Sequence, residues 1–280
     1  MSSLQPSAPE VSGQGIVDLM EGVWQSIASL CSSFTEVQWK SPTDCPGWSV
    51  QDQVSHLAGA ESSILGHPIP EHTPVPTDHA KNEIGRSNEV QVDWRRPRPG
   101  SEVLAEFQEL TAQRLELLRG MTEADFAAET QTPIGPGTMA EFLRIRVFDA
   151  WVHEQDIRRA VGQPGNLDGP VAVHSIERVA RAMPYVVGRK ARPPDGTTVV
   201  FEVTGPAGRT LPIAMEGGRA NLLDNLPTQP TVGIVMDTET FLCLGCGRVE
   251  PSQALGKGQV EIRGDRELGE SVVNQMNIMI

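Results

Sequence analysis

The sequence has few cysteines, no long apolar run and a deficit of basic residues. Four cysteines in 280 residues are too few for a disulfide scaffold, which favours a cytoplasmic protein in a reducing environment. The roughly 18 consecutive apolar residues that a membrane span needs are not found, so no membrane partner is expected. A formal net charge of −13 argues against a nucleic-acid partner, because phosphate binding needs a basic face.

Length and composition favour two domains behind a short leader. A hydrophobic fraction of 39% is typical of globular proteins, and 280 residues are enough for two ordinary domains. Residues 1–14 contain Ser, Pro and Gly but no basic segment followed by an apolar one. They are therefore predicted to be a disordered leader and not a secretory signal.

Four long amphipathic helices are predicted in the first half of the chain. Apolar residues recur there at three- and four-residue spacing, and Thr138 with Glu141 forms a capping-box pattern at the start of the last helix. Residues 66–100 lack such periodicity and are predicted to be a long connection. The predicted helices cover 16–34, 49–65, 101–119 and 138–161. Four helices with one long crossover predict a four-helix bundle over 15–165.

The second half, 166–280, mixes strands and helices. A hairpin is predicted around Gly205-Pro-Ala-Gly208, because this turn separates two β-rich segments. Mixed order with hairpin turns predicts a small α+β domain. The predicted strands are 197–204, 210–215, 231–236 and 259–263, and the predicted helices are 171–187, 237–246 and 265–276. Cys243 and Cys246 lack a second pair of ligands, so we interpret them as ordinary helix cysteines.

Asp149 and His153 on the fourth helix form the most informative pair. They are four residues apart, so both side chains lie on one face, which the helical wheel predicts to be buried. A buried carboxylate needs a partner, because an unpaired buried charge is very costly. Metal coordination is one solution. An Asp–His hydrogen bond or an ion pair with Arg146 remain alternatives at this point.

His56 lies in the middle of the second helix and is the third candidate ligand. Its neighbours on that face, Ala60 and Ser63, are small and would leave space for a ligand. The larger apolar stripe of the helix points elsewhere, so a surface or interface histidine is the alternative. Asp156 is placed to orient the second ring nitrogen of His153. The remaining histidines are interpreted as ordinary: His67, His72, His79 and His174.

Two motifs resemble the mycothiol-dependent maleylpyruvate isomerase family. They are Trp39-x-x-Pro-Thr-x-Cys-Pro-Gly-Trp-Ser-Val-x-Asp-x-Val-x-His56 and Arg146-x-x-Asp149-x-x-x-His153-x-x-Asp156. The resemblance implies a DinB-like four-helix bundle in which His56, Asp149 and His153 coordinate zinc together with a water. The family normally has Glu at the acidic position, and Asp is one methylene shorter, so another divalent metal remains an alternative.

The resemblance extends into the second half. The segments Leu244-Gly-Cys-Gly-Arg248-x-x-Pro-x-x-Ala-Leu and Val260-x-Ile-x-Gly-Asp265 resemble the end of a sterol-carrier-protein-like domain. Nearly the whole chain is then covered. The implied fold class is a two-domain protein, an N-terminal DinB-like bundle followed by a small α+β (SCP2-like) domain.

The resemblance implies an enzyme that uses zinc and the low-molecular-weight thiol mycothiol, in an actinobacterium. A thiolate at the open metal position would isomerise an unsaturated acid, or transfer sulfur to an electrophilic small molecule. Arg248 and Arg86 are the candidate catalytic cations for a substrate carboxylate, with an ordinary surface or structural role as the alternative for each. The sequence does not indicate which residues bind the thiol.

Two other functions remain open from the sequence. A metal-dependent hydrolase would hold hydroxide at the open position in place of a thiol. A binding or regulatory protein would use the metal for structure alone.

Overall fold

The computed structural model describes residues 11–279, which divide into two units between Gly165 and Asn166. Residues 11–165 are mainly helical, and residues 166–279 combine helices with a five-stranded sheet. This is the predicted order of an all-α domain followed by an α+β domain. Within the described part of the chain, no helix has both the length and the apolar character needed to cross a membrane.

Four helices form the bundle of the first unit. Each contacts two of the others, so they close a ring in the order α1, α7, α3, α5. The predicted four-helix bundle is therefore confirmed. Its helices are α1 (Gly13–Cys31), α3 (Val50–Ile64), α5 (Gly100–Arg119) and α7 (Met139–Val161), and two short helices, α2 (Glu36–Trp39) and α6 (Glu123–Ala127), lie between them.

Hydrogen-bonded caps set where the bundle helices begin. Thr138 and Glu141 form the predicted capping box at the start of α7. Helix α1 begins earlier than predicted, because the Ser12 side chain accepts a hydrogen bond from the Gly15 N–H. Gly13 and Gln14, which belong to the predicted leader, are therefore helical. Residues 1–10 of that leader lie outside the described residues.

The predicted long connection contains a helix, α4 (Glu83–Arg95). Its buried residues include Glu89, Gln91 and Arg95, so it has no apolar stripe that a periodicity search would detect. It packs on α3 at Gly59, where a Cβ atom would lie 2.7 Å from the Gln91 Cβ. A short hairpin, β1 (Glu129–Thr132) with β2 (Gly135–Thr138), was also not predicted.

The second unit is built around a sheet with strand order β5-β4-β3-β6-β7. The β3–β4 hairpin confirms the turn predicted at residues 205–208, and β3 and β6 form the one parallel pair of this sheet. Strand β5 was missed because four residues show too little alternation. The strands are β3 (Thr198–Thr204), β4 (Arg209–Glu216), β5 (Arg219–Leu222), β6 (Val232–Asp237) and β7 (Glu261–Gly264).

Helices cover this sheet and complete an apolar core. Phe201, Ile234 and Phe241 have no solvent exposure. Cys243 and Cys246 are buried and form no disulfide. The helices are α8 (Gly169–Tyr185), which continues into a π-helical turn (Val186–Ala191), α9 (Thr238–Gly245), α10 (Pro251–Gly256) and α11 (Arg266–Val273).

Candidate metal centre

The bundle brings His56, Asp149 and His153 together from α3 and α7. Their potential ligand atoms all lie within 4.8 Å of one another. The His56 Nε2 is 3.2 Å from one carboxylate oxygen of Asp149, and the His153 Nε2 is 3.5 Å from the other. Two imidazoles and one carboxylate are a donor set that suits zinc with one coordination position left open.

His56 is buried, against the alternative of a surface histidine. The apolar stripe of α3 points elsewhere, but α4, α5 and α7 all pack against this helix. Of the 15 residues of α3, 12 are consequently buried, and His56 is 6% exposed. A single apolar stripe therefore underestimates burial in a helix that is covered from several sides.

Gln53 provides the close partner for the second nitrogen of His153. Its Oε1 accepts a hydrogen bond from the His153 Nδ1, and its Nε2 donates to the Thr43 Oγ1 at 2.7 Å. The proton is thus held at Nδ1, which leaves the Nε2 lone pair directed at the cluster. Asp156, the predicted partner, has its carboxylate 3.8 Å away and pairs with Arg159.

The Asp149 carboxylate is held by Arg146. The Arg146 guanidinium donates to the Asp149 Oδ2 at 2.6 Å and to the Glu61 Oε1 through two further nitrogens at 3.2 and 2.9 Å. Burial acts to raise the pKa of Asp149, but Arg146 and the two histidines hold it well below its usual range. The ion pair that the sequence offered as an alternative is present alongside the histidine contacts.

Burial also sets the state of His56. It lowers the pKa of His56 and outweighs the opposing effect of Asp149. A neutral imidazole beside an ionised carboxylate is the protonation state that metal ligands require. These residues therefore fit a divalent cation in chemistry as well as in position.

Trp48 forms one wall of the cluster. Its ring centroid lies 5.2 Å from that of His56 and 5.8 Å from that of His153. The Trp48 Nε1 donates to the Glu89 Oε2 at 3.0 Å, so α4 holds the wall in place. This contact could not be predicted from the sequence, because α4 itself was not predicted.

The two candidate cations, Arg86 and Arg248, belong to different units. Arg86 is exposed in the first turn of α4, and no hydrogen bond or ion pair joins it to the three candidate ligands in the described part of the chain. Arg248 follows α9 in the second unit and donates to the Cys246 carbonyl at 3.2 Å. Their catalytic roles stay predictions.

Comparison with known proteins gives matches along most of the chain. Residues 20–158 match the family described as the mycothiol maleylpyruvate isomerase N-terminal domain, and residues 173–271 match its C-terminal domain. No curated protein matches the sequence.

Two solved structures share the fold at 15% sequence identity. One is the crystal structure of a mycothiol-dependent maleylpyruvate isomerase, with a TM-score of 0.53 over 89% of this chain and 93% of that chain. The other is a mutant of such an isomerase, with a TM-score of 0.55 over 94% of this chain and 95% of that chain.

Proposed function

The chain belongs to the mycothiol maleylpyruvate isomerase family, and from this premise we propose that it is a thiol-dependent enzyme with a zinc site at His56, Asp149 and His153. The proposed reaction is the cis–trans isomerisation of an unsaturated acid with mycothiol as cofactor. The observation that carries the proposal is the convergence of these three side chains in the domain that matches the family.

Each residue of the cluster has a defined part in this proposal. Asp149 brings the negative charge, and His56 and His153 bring imidazole nitrogen donors. Gln53 keeps the proton of His153 on Nδ1, and Trp48 excludes water from one side of both imidazoles. Zinc, when bound, supplies the positive charge that keeps a thiol ionised near neutral pH.

The thiol provides the isomerisation chemistry. When a thiolate adds to an activated double bond, a C–S bond forms and the C=C bond becomes a C–C single bond. The substrate rotates about this C–C bond, and the double bond forms again as the thiolate leaves. The same site would support S-transfer to an electrophile, in which the thiolate displaces a leaving group that departs with its bonding electrons, and the new C–S bond is kept. A small-molecule substrate and a thiol are the expected partners, and the cytosol is the expected compartment.

Asp149 is the departure from the family that bears on the metal. The side chain is shorter than Glu, yet its carboxylate already faces both histidine Nε2 atoms and is oriented by Arg146. Zinc therefore remains our proposal, and a different divalent metal is the alternative that metal analysis decides.

The first experiment is metal analysis of the protein purified without a His tag. Mass spectrometry should find about one zinc per chain in the wild type and almost none in His153→Ala. His67→Ala is the matched control, because His67 is an exposed histidine of the same unit. Retention of zinc by His56→Ala, Asp149→Ala and His153→Ala would show that the metal site lies elsewhere.

Thiol dependence then separates the enzyme classes. The zinc-loaded protein should isomerise unsaturated acids only when mycothiol is added. Turnover without any thiol would favour the hydrolase, with hydroxide at the open position. Zinc binding without turnover of any substrate, combined with a loss of thermal stability on chelation, would favour a binding or regulatory protein with a structural metal.

A further inference from the structure

Arg114 in α5 is a buried arginine whose hydrogen bonds are not satisfied. Its side chain is 10% exposed, and its buried Nε has no hydrogen-bond partner. The nearest carboxylate oxygen, Oε2 of Glu61, is 3.6 Å from this nitrogen, which is beyond hydrogen-bond distance. Within residues 11–279, the Arg114 Nε is therefore a buried donor without an acceptor.

The other buried arginines of this unit show how unusual that is. Arg95 donates to Glu106 and Gln91 through all three of its nitrogens, and Arg146 donates to Glu61 and Asp149. A buried donor without an acceptor loses its hydration and gains nothing in return. An acceptor from outside the chain would satisfy such a group.

Arg114 belongs to the same charged cluster as the candidate metal ligands. Glu61 lies between it and Arg146, and Arg146 holds Asp149. The carboxylates of Glu61 and Asp149 and the guanidinium groups of Arg114 and Arg146 together carry no net charge. A divalent cation adds two positive charges to this buried cluster, which one thiolate does not balance. A second anionic ligand is therefore favoured.

A carboxylate matches both requirements. The guanidinium is a planar fork whose parallel N–H groups bind two carboxylate oxygens at once. We propose that Arg114 binds a carboxylate of the substrate and so selects small carboxylic acids for this site. The proposal rests on the proposed function and names a residue distinct from Arg86 and Arg248.

The test is calorimetric titration with succinate, a saturated acid that no thiol can isomerise. Wild-type protein should bind succinate in the zinc-loaded and, more weakly, in the metal-free form. Arg114→Gln should weaken binding about tenfold or more in both forms, while the zinc content stays that of the wild type. Arg119→Gln is the control, because Arg119 lies on the same helix but is 39% exposed and bonded to Asp18 and Glu21.

Two further measurements separate ligand binding from a structural role for Arg114. Succinamide, which lacks the negative charges, should bind weakly to wild type and be insensitive to Arg114→Gln. The double variant Glu61→Gln with Arg114→Gln keeps the buried cluster neutral, so it should fold and still fail to bind succinate. It also replaces the single variant if that one does not fold.

The proposal is overturned if Arg114→Gln lowers thermal stability or zinc content but leaves succinate affinity unchanged. It is also overturned if wild type binds succinate in neither form. Arg114-dependent succinate binding without thiol-dependent turnover would remove the proposed function and leave this inference standing. Thiol-dependent turnover, combined with succinate binding that Arg114→Gln does not weaken, would support the proposed function and overturn this inference.

Discussion

The two units of the chain differ most in what they bury. Every charged residue that is buried within 11–279 lies in the helical unit, whereas the buried polar residues of the α+β unit are hydroxyl side chains. Burying charge is costly, so the helical unit carries groups that an apolar core would exclude. The difference supports our proposal that the metal site lies in the helical unit. The hydroxyl residues are Ser175, Thr197, Thr238 and Thr240.

Tryptophan placement makes this comparison measurable. All five tryptophans lie in the helical unit, so their fluorescence follows the unfolding of that unit alone. Hydrogen exchange measured by mass spectrometry follows both units peptide by peptide. Together the two methods assign any change in stability to one unit.

The largest effect is expected from Arg146→Ala. Glu61 would stay buried and Asp149 partly buried without their shared cation, so the free energy of unfolding of the helical unit should fall by about 3–5 kcal/mol. Urea unfolding followed by tryptophan fluorescence measures it. A change below about 1 kcal/mol would mean that water already screens the cluster, and the contrast between the units would lose its energetic basis.

Gln53→Leu should act on the metal and not on the fold as a whole. Loss of the Gln53 acceptor frees the His153 ring to change tautomer and orientation, so zinc affinity should fall roughly 10–100-fold. Competition with a chromophoric chelator measures this affinity. Gln91→Leu removes another buried amide of the same unit and should leave zinc binding unchanged. Equal losses in both variants would argue for general destabilisation.

Acid should weaken the helical unit before the α+β unit. Burial acts to raise the pKa of Glu106, but Arg95 and Arg98 outweigh it and lower the pKa. Burial also acts to raise the pKa of Glu89, but hydrogen bonds from His79, Trp48 and Arg96 outweigh it and lower the pKa. Their stabilising contribution is present at neutral pH and is lost as pH falls below about 4.

Stepwise acidification followed by fluorescence and hydrogen exchange tests this order. Glu106→Gln should make the helical unit less stable at neutral pH and its stability less dependent on pH below about 4. Earlier loss of protection in the α+β unit would reverse the expected order.

The smallest effect is expected from Arg263→Ala in the α+β unit. Arg263 is 52% exposed and pairs with Glu202 and Glu261, which are also exposed. Exposed ion pairs contribute little because water and salt screen them. Hydrogen exchange of β6 and β7 should be unchanged. Widespread loss of protection there would show that this unit also depends on ion pairs.

Local patterns in the sequence were enough to predict the bundle and to single out Asp149 and His153 as a pair on one helix face. The capping box of Thr138 and Glu141 and the spacing of Asp149 and His153 involve residues three or four positions apart, so they can be recognised without knowing the fold. The convergence of His56 with them was suggested by family resemblance. Its role as a metal ligand stays a prediction.

What the sequence did not predict depends on contacts between distant segments. Gln53 meets His153 across 100 residues and resembles any polar helix residue when it is considered alone. Helix α4 buries polar groups, because Glu89 accepts a hydrogen bond from Trp48 and the Gln91 carbonyl accepts one from Arg95. Its buried face therefore does not show as a stripe of apolar residues in the sequence. Arg114 is informative only because its buried Nε lacks a hydrogen-bond partner, which no sequence pattern shows.

The separation of the cluster along the chain has a consequence for biosynthesis. Asp149 follows His56 by 93 residues, so a growing chain that has emerged only through α5 offers one of the three candidate ligands. Domains generally fold as units during synthesis, N-terminal first. On the proposed assignment, capture of the ion therefore has to wait until the last bundle helix leaves the ribosome.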